Sequence, residues 1–141
     1  MLYGARECAR LAVAEGIEAR IRRHARHGAA MVHGLHGLGL ETYGDPQHRM
    51  ANVVGVVIPD GIDGEQVRAA LLSDFGIEIG TSFGPLHGRI WRIGTMGYNA
   101  RRDAVLTTLT ALEQVLRALG APVTAGGYAA ACEYYQDVEE S

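Results

Sequence analysis

The sequence predicts an α/β chain of the α+β sandwich kind: a small, mainly antiparallel sheet with helices packed on one face. Two runs, Asn52–Ile58 and Arg89–Ile93, are short, apolar and rich in β-branched or aromatic residues, as strands are. Stretches with helical apolar spacing alternate with them, in the order helix, strand, strand, helix, strand, strand, helix. The links are short and carry glycine or proline, so neighbouring elements stack into two layers.

The totals agree with one ordinary domain of 141 residues, 48% of them hydrophobic and 21% charged. A net charge of -3 gives no global attraction for nucleic acid. Two cysteines, Cys8 and Cys132, stand far apart without metal spacing, which fits a reducing, cytoplasmic setting. No apolar run approaches the ~20 residues of a membrane span, and no membrane partner is expected. All 13 Lys+Arg residues are arginine. Schiff-base chemistry needs an amine side chain, so this chain cannot complete it alone.

Residues 2–15 read as a helix with Leu2, Ala5, Ala9, Ala12 and Val13 on one side. It begins in mid-pattern, without a capping signal, as a cut end would. After Gly16 a longer helix runs from Ile17 to about Leu38, with Ile17, Ile21, Ala25, Gly28, Val32 and Leu35 on one face and Gly39 as its stop. It carries Arg20, Arg22, Arg23 and Arg26, which read as a solvated basic face rather than a nucleic-acid surface. His24, His27, His33 and His36 fall as two pairs about half a turn apart, so they do not converge on one ion, and no metal is assigned.

Leu40–Tyr43 reads as a short edge strand, and Asp45-Pro46 as a turn. Asn52–Ile58 reads as a strand covered on most of both faces, with Gly55 marking a bulge or close contact. Asp63 followed by Gln66 starts a helix that buries Val67 and Leu71 and stops at Gly76. Ile77-Glu78-Ile79 reads as a short strand, and residues 80–88 as a glycine-rich loop. That loop is no phosphate-binding fingerprint, since lysine is missing and no helix follows directly; His87 in it reads as a surface residue. Asn99 is expected to cap a helix from Ala100 to Leu119, with Val105, Leu109, Leu112 and Leu116 inward and Gly120 and Pro122 as stops. In residues 121–141, Tyr128–Tyr135 could pack as a short helix before an acidic end, Glu133, Asp137, Glu139 and Glu140.

The stretch with chemical content is Arg89-Ile90-Trp91-Arg92-Ile93-Gly94-Thr95-Met96-Gly97-Tyr98-Asn99. Alternation puts Arg89, Trp91 and Ile93 on one face and Ile90 and Arg92 on the other. Arg92 thus lies inside an apolar run, and an inward guanidinium requires a counter-charge. The local alternatives are a structural ion pair, with Glu78 as the candidate, and a seat for a carboxylate or phosphate beside Gly94 and Gly97.

Gly76-Ile77-Glu78-Ile79-Gly80, then Gly84-Pro85-Leu86-His87-Gly88-Arg89-Ile90-Trp91-Arg92-Ile93-Gly94, then Met96-Gly97-Tyr98-Asn99-Ala100 resemble the C-terminal small domain of class V, fold type I aminotransferases. The branch they resemble most is that of the alanine–, serine– and ureidoglycine–glyoxylate aminotransferases. Glu18-Ala19-Arg20, Arg23-His24 and Asp45-Pro46-Gln47-His48-Arg49 fit the same branch. The resemblance covers about residues 2–120. It implies three parts: a remnant of an interdomain helix (1–16), the aminotransferase small domain (17–120) and a C-terminal tail (121–141).

The resemblance further implies a dimeric enzyme that uses pyridoxal phosphate, with the cofactor held by a lysine of a large N-terminal domain. On that reading Arg92 grips the α-carboxylate of the amino or keto acid, glyoxylate among them. No catalytic residue and no metal falls in this chain, which is then a fragment that neither binds the cofactor covalently nor transaminates alone. The alternative is a non-catalytic small-molecule-binding or regulatory α+β module.

Overall fold

A computed structural model describes residues 2–139; Met1, Glu140 and Ser141, including the last acid of the acidic end, lie outside the described residues. The elements are α1 (Leu2–Glu15), α2 (Ile17–Gly37), β1 (Thr42–Tyr43), β2 (Val53–Val57), α3 (Gly64–Phe75), β3 (Gly80–Thr81), β4 (Ile90–Gly94), α4 (Arg102–Ala118) and α5 (Gly127–Glu139). Short 3-10 turns span Gly84–Leu86 and Gly97–Asn99. The four strands lie in the order β1-β2-β4-β3, and every recorded pairing is antiparallel. The α+β sandwich expected from the sequence is the fold observed.

Strand alternation decides which face is core. Val54 and Val56 of β2, with Trp91 and Ile93 of β4, bury into one cluster with Met31 and Leu35 of α2, Val67 and Leu71 of α3, and Leu109 and Leu112 of α4. Trp91 is 1% exposed, and its indole Nε1 donates to Gly64 O at 3.1 Å, which ties the start of α3 to β4. Burying an indole of this size contributes about 4–6 kcal/mol on an area basis. Arg92 and Gly94 point to the opposite face and are exposed. β2 is covered on one face only, with Val53, Gly55 and Val57 half-buried on the other, so coverage on most of both faces is not what is found.

Three further expectations are corrected. Ile77–Ile79 joins no strand of the sheet; the edge strand is Gly80–Thr81. Gly76, at φ 65°, ends α3, and Ile77 N donates back to Leu71 O, so the chain clears the helix before it reaches β4. Asn99 is not the cap of α4. It lies in the 3-10 turn, and Arg101 takes the cap position without a side-chain cap bond. Ile17 and Ile21 are exposed, since α1 contributes no buried residue and the buried run of α2 starts only at Gly28.

Helix α5 seats Ala131 and Tyr135 in the core beside α2, at backbone contact distance. A Cβ at Gly37 would stand 2.7 Å from Gly126 O and 2.8 Å from the Ala130 Cβ. No helix among the described residues is long and apolar enough to cross a membrane. Gly37→Ala is expected to destabilise the fold by about 1–3 kcal/mol through overpacking, read as a lower urea midpoint.

Candidate functional site

Arg92 sits midway along β4 with glycine on both neighbouring strands: Gly55 of β2 and Gly80 of β3 are its register partners. Cross-strand partners share a face about 5 Å apart, so side chains there would flank the arginine. Gly94, two residues along β4, lies on the same face. Arg92 leans over Gly80, where a Cβ would stand 3.7 Å from both its Cβ and its Nε. Its Nε donates to Thr81 O at 2.8 Å, and its guanidinium carbon lies 4.9 Å from the centre of the Phe83 ring.

The inward arginine with a counter-charge is therefore corrected. The helices cover the Trp91 face, which leaves Arg92 on the other, and among the described residues no carboxylate pairs with it. Glu78 is exposed on the approach to β3 and is not its partner. In this chain the guanidinium keeps its solvent, so the desolvation cost that required a counter-ion does not arise. A cavity of about 320 Å³ lies elsewhere, beside Ile79, Ile93, Thr95, Asn99 and Arg101, and does not include Arg92.

The turn that follows β4 is fastened by the start of α2. Arg23 Nη1 donates to Gly97 O at 2.8 Å and to Ala100 O at 3.0 Å. Gly97 N donates to His24 Nε2 at 3.0 Å, and His24 Nδ1 lies 2.7 Å from Arg20 O. A backbone N–H only donates, so Nε2 is the acceptor and the proton sits on Nδ1, directed at Arg20 O. Glu15, the last residue of α1, holds Arg23 at 2.5 and 2.9 Å and Arg20 at 3.0 Å. The Arg23 hydrogen bond is the main reason the Glu15 carboxyl is pulled down to about 2. Tyr98 stacks against Arg101, with the guanidinium carbon 4.4 Å from its ring centre.

By spacing alone these arginines read as a solvated face. Arg20, Arg23 and Arg26 are instead engaged within the molecule, the last with Glu139 at 2.6 Å. No spacing rule exposes a tie between residues 23 and 97, so this group was missed. The four helix histidines diverge: His27 meets the Tyr135 hydroxyl at 2.7 Å, His33 stacks on Tyr134, and His36 meets Thr42 Oγ1 at 3.1 Å. Burial lowers the His27 pKa and pushes Tyr135 up to about 12, as suits a neutral structural pair. His87 is exposed on its loop.

Two outcomes follow from the α2 tie. Removing the acceptor in His24→Leu should speed hydrogen exchange at the Gly97 amide, while His24→Gln, whose carbonyl reaches a similar place, should keep it slow. The folded pKa of Glu15 is depressed below its ordinary value near 4.5, so its contribution to stability is complete above that pH and is lost as pH falls toward 2. Glu15→Gln should flatten that part of the urea-midpoint pH profile.

No family model matches the chain. It is 50% identical over 138 residues to the (S)-ureidoglycine–glyoxylate transaminase of Bacillus subtilis, a match that takes in 97% of this chain and 33% of that protein. It is 40% identical over 118 residues to the alanine–glyoxylate aminotransferase of Callithrix jacchus, covering 82% of this chain and 28% of that one. A crystal structure of the ureidoglycine–glyoxylate aminotransferase from Bacillus subtilis superposes with a TM-score of 0.92 at 49% identity, over 96% of this chain and 35% of that chain. The chain thus spans about a third of the length of the curated relatives it matches. The first match extends past residue 120 and takes in most of α5.

Proposed function

We propose, given that this chain belongs to the class V aminotransferases and corresponds to their C-terminal part, that it supplies the carboxylate grip of an enzyme transferring an amino group to glyoxylate. Arg92 is the residue that grips. The observation that carries this reading is an exposed guanidinium with no acid partner among the described residues, flanked on its sheet face by Gly55, Gly80 and Gly94. A planar fork can place two parallel hydrogen bonds on one carboxylate, which an ammonium cannot. Holding the carboxylate there orients the reacting carbon of an amino or keto acid for chemistry carried by the rest of the protein.

The named activities of both relatives include glyoxylate while their amino donors differ, so glyoxylate is the acceptor proposed. The family depends on pyridoxal phosphate, which supplies the electron-withdrawing centre for amino transfer. This chain has no lysine, so its residues do not fit the attachment of that cofactor. Its part is confined to the substrate. The remaining partners proposed are a large N-terminal domain and, in the complete enzyme, a second copy of the protein.

In the complete protein, Arg92→Ala or Arg92→Lys should raise KM for glyoxylate and lower kcat/KM. The lost charge-assisted contact is worth about 2–4 kcal/mol, or roughly 30- to 1000-fold. Steady-state kinetics give the answer, and unchanged constants would remove Arg92 from the site.

A further inference from the structure

We propose that Thr81 and Phe83 pre-set the Arg92 guanidinium, so that it takes its carboxylate end-on through Nη1 and Nη2, with Phe83 as the positioning residue. This rests on the reading of Arg92 as the carboxylate grip.

An arginine can meet a carboxylate along either of two edges: side-on through Nε and one Nη, or end-on through both Nη atoms. Here the Nε–H is committed to Thr81 O at 2.8 Å. That bond is to main chain, within a strand whose Gly80 pairs with Arg92 itself and whose Thr81 pairs with Trp91. The side-on edge is therefore occupied, and the Nη pair is the edge with no recorded partner among the described residues. The guanidinium carbon lies over the Phe83 ring, 4.9 Å from its centre. The hydrogen bond fixes the direction of the fork, and the ring adds a second contact at the guanidinium carbon.

Phe83 is 72% exposed, so it is not held there as core. Its backbone is held instead. Ser82 beside it is buried, Leu86 N donates to Phe83 O at 3.3 Å, His87 N to Gly84 O at 3.0 Å, and Arg89 N to Leu86 O at 3.0 Å. Gly84, at φ 57°, makes the turn that starts this 3-10 segment. The loop thus presents an aromatic face to one arginine. A free arginine has many rotamers to lose when substrate arrives; one already stacked and hydrogen-bonded has fewer. Stacking of a cation on an aromatic face requires the ring and not merely its bulk.

The test uses the complete protein and four single variants. Phe83→Ala should raise KM for glyoxylate roughly 3- to 10-fold with kcat within about 2-fold, since a partly exposed cation–ring contact is modest. Phe83→Leu, which keeps bulk without a ring, should behave like Phe83→Ala, and Phe83→Tyr should retain the parent KM. Combined with Arg92→Gln, Phe83→Ala should add less than about 2-fold in kcat/KM, because it acts through the arginine. Parent-like KM in Phe83→Ala, rescue by leucine, or an undiminished effect in the Arg92→Gln background would each overturn the proposal while leaving the arginine's role intact. An Arg92→Gln enzyme with parental kinetics would overturn the underlying reading instead. Thermal melts of each variant separate these results from a failure to fold.

Discussion

The sheet has helices on one side only, and every feature of the candidate site depends on that asymmetry. Trp91 and Ile93 claim the covered face, so alternation sends Arg92 to the other. Had helices covered both faces, an arginine at this position would have needed a buried acid, and its donors would have been spent. Because Arg92 itself stays exposed on the second face, the guanidinium needs only a carbonyl and a ring to hold it, and part of its hydrogen-bonding capacity remains available.

The glycines do related work at two levels. Gly55, Gly80 and Gly94 flank Arg92 without side chains, while Gly34, Gly37, Gly126 and Gly127 let α2 and α5 approach at backbone distance on the covered side. The second set holds the scaffold; the first puts no side chain of its own beside the arginine. The Glu15–Arg23–Gly97 chain links these levels by fastening the end of α1 and the start of α2 to the turn that leaves β4. The strand that presents Arg92 is thus fixed laterally by pairing and at its exit by Arg23 and His24, 74 and 73 residues before Gly97 in the sequence.

Much of this was legible in the chain. Apolar periodicity placed α2, α3 and α4 to within a few residues, because each buries a stripe into one core. Asp63 and Gly76 marked α3 by local chemistry alone, a carboxylate on two free amides and a left-handed residue at the end. Arg92 was singled out by its place between Ile90 and Ile93, and alternation gave the correct split of side chains. Alternation does not say which face is covered, so the arginine was placed inward. Ile77–Ile79 looked like a strand because two isoleucines alternate with an acid, yet pairing begins only where β4 lies alongside. Asn99 is a good cap by type, but the left-handed Gly97 bends the chain into a 3-10 turn first. The roles of Arg23, His24 and Phe83 are set by contacts across the fold, and composition carries no trace of them.

The most direct measurement is a crystal structure of the complete protein with a non-reacting carboxylate bound in its site. The carboxylate oxygens are expected on Arg92 Nη1 and Nη2, with Nε still on the Thr81 carbonyl and the guanidinium carbon still over the Phe83 ring. A carboxylate seated away from Arg92, or an arginine in that structure paired with an acid of the same protein, would contradict it.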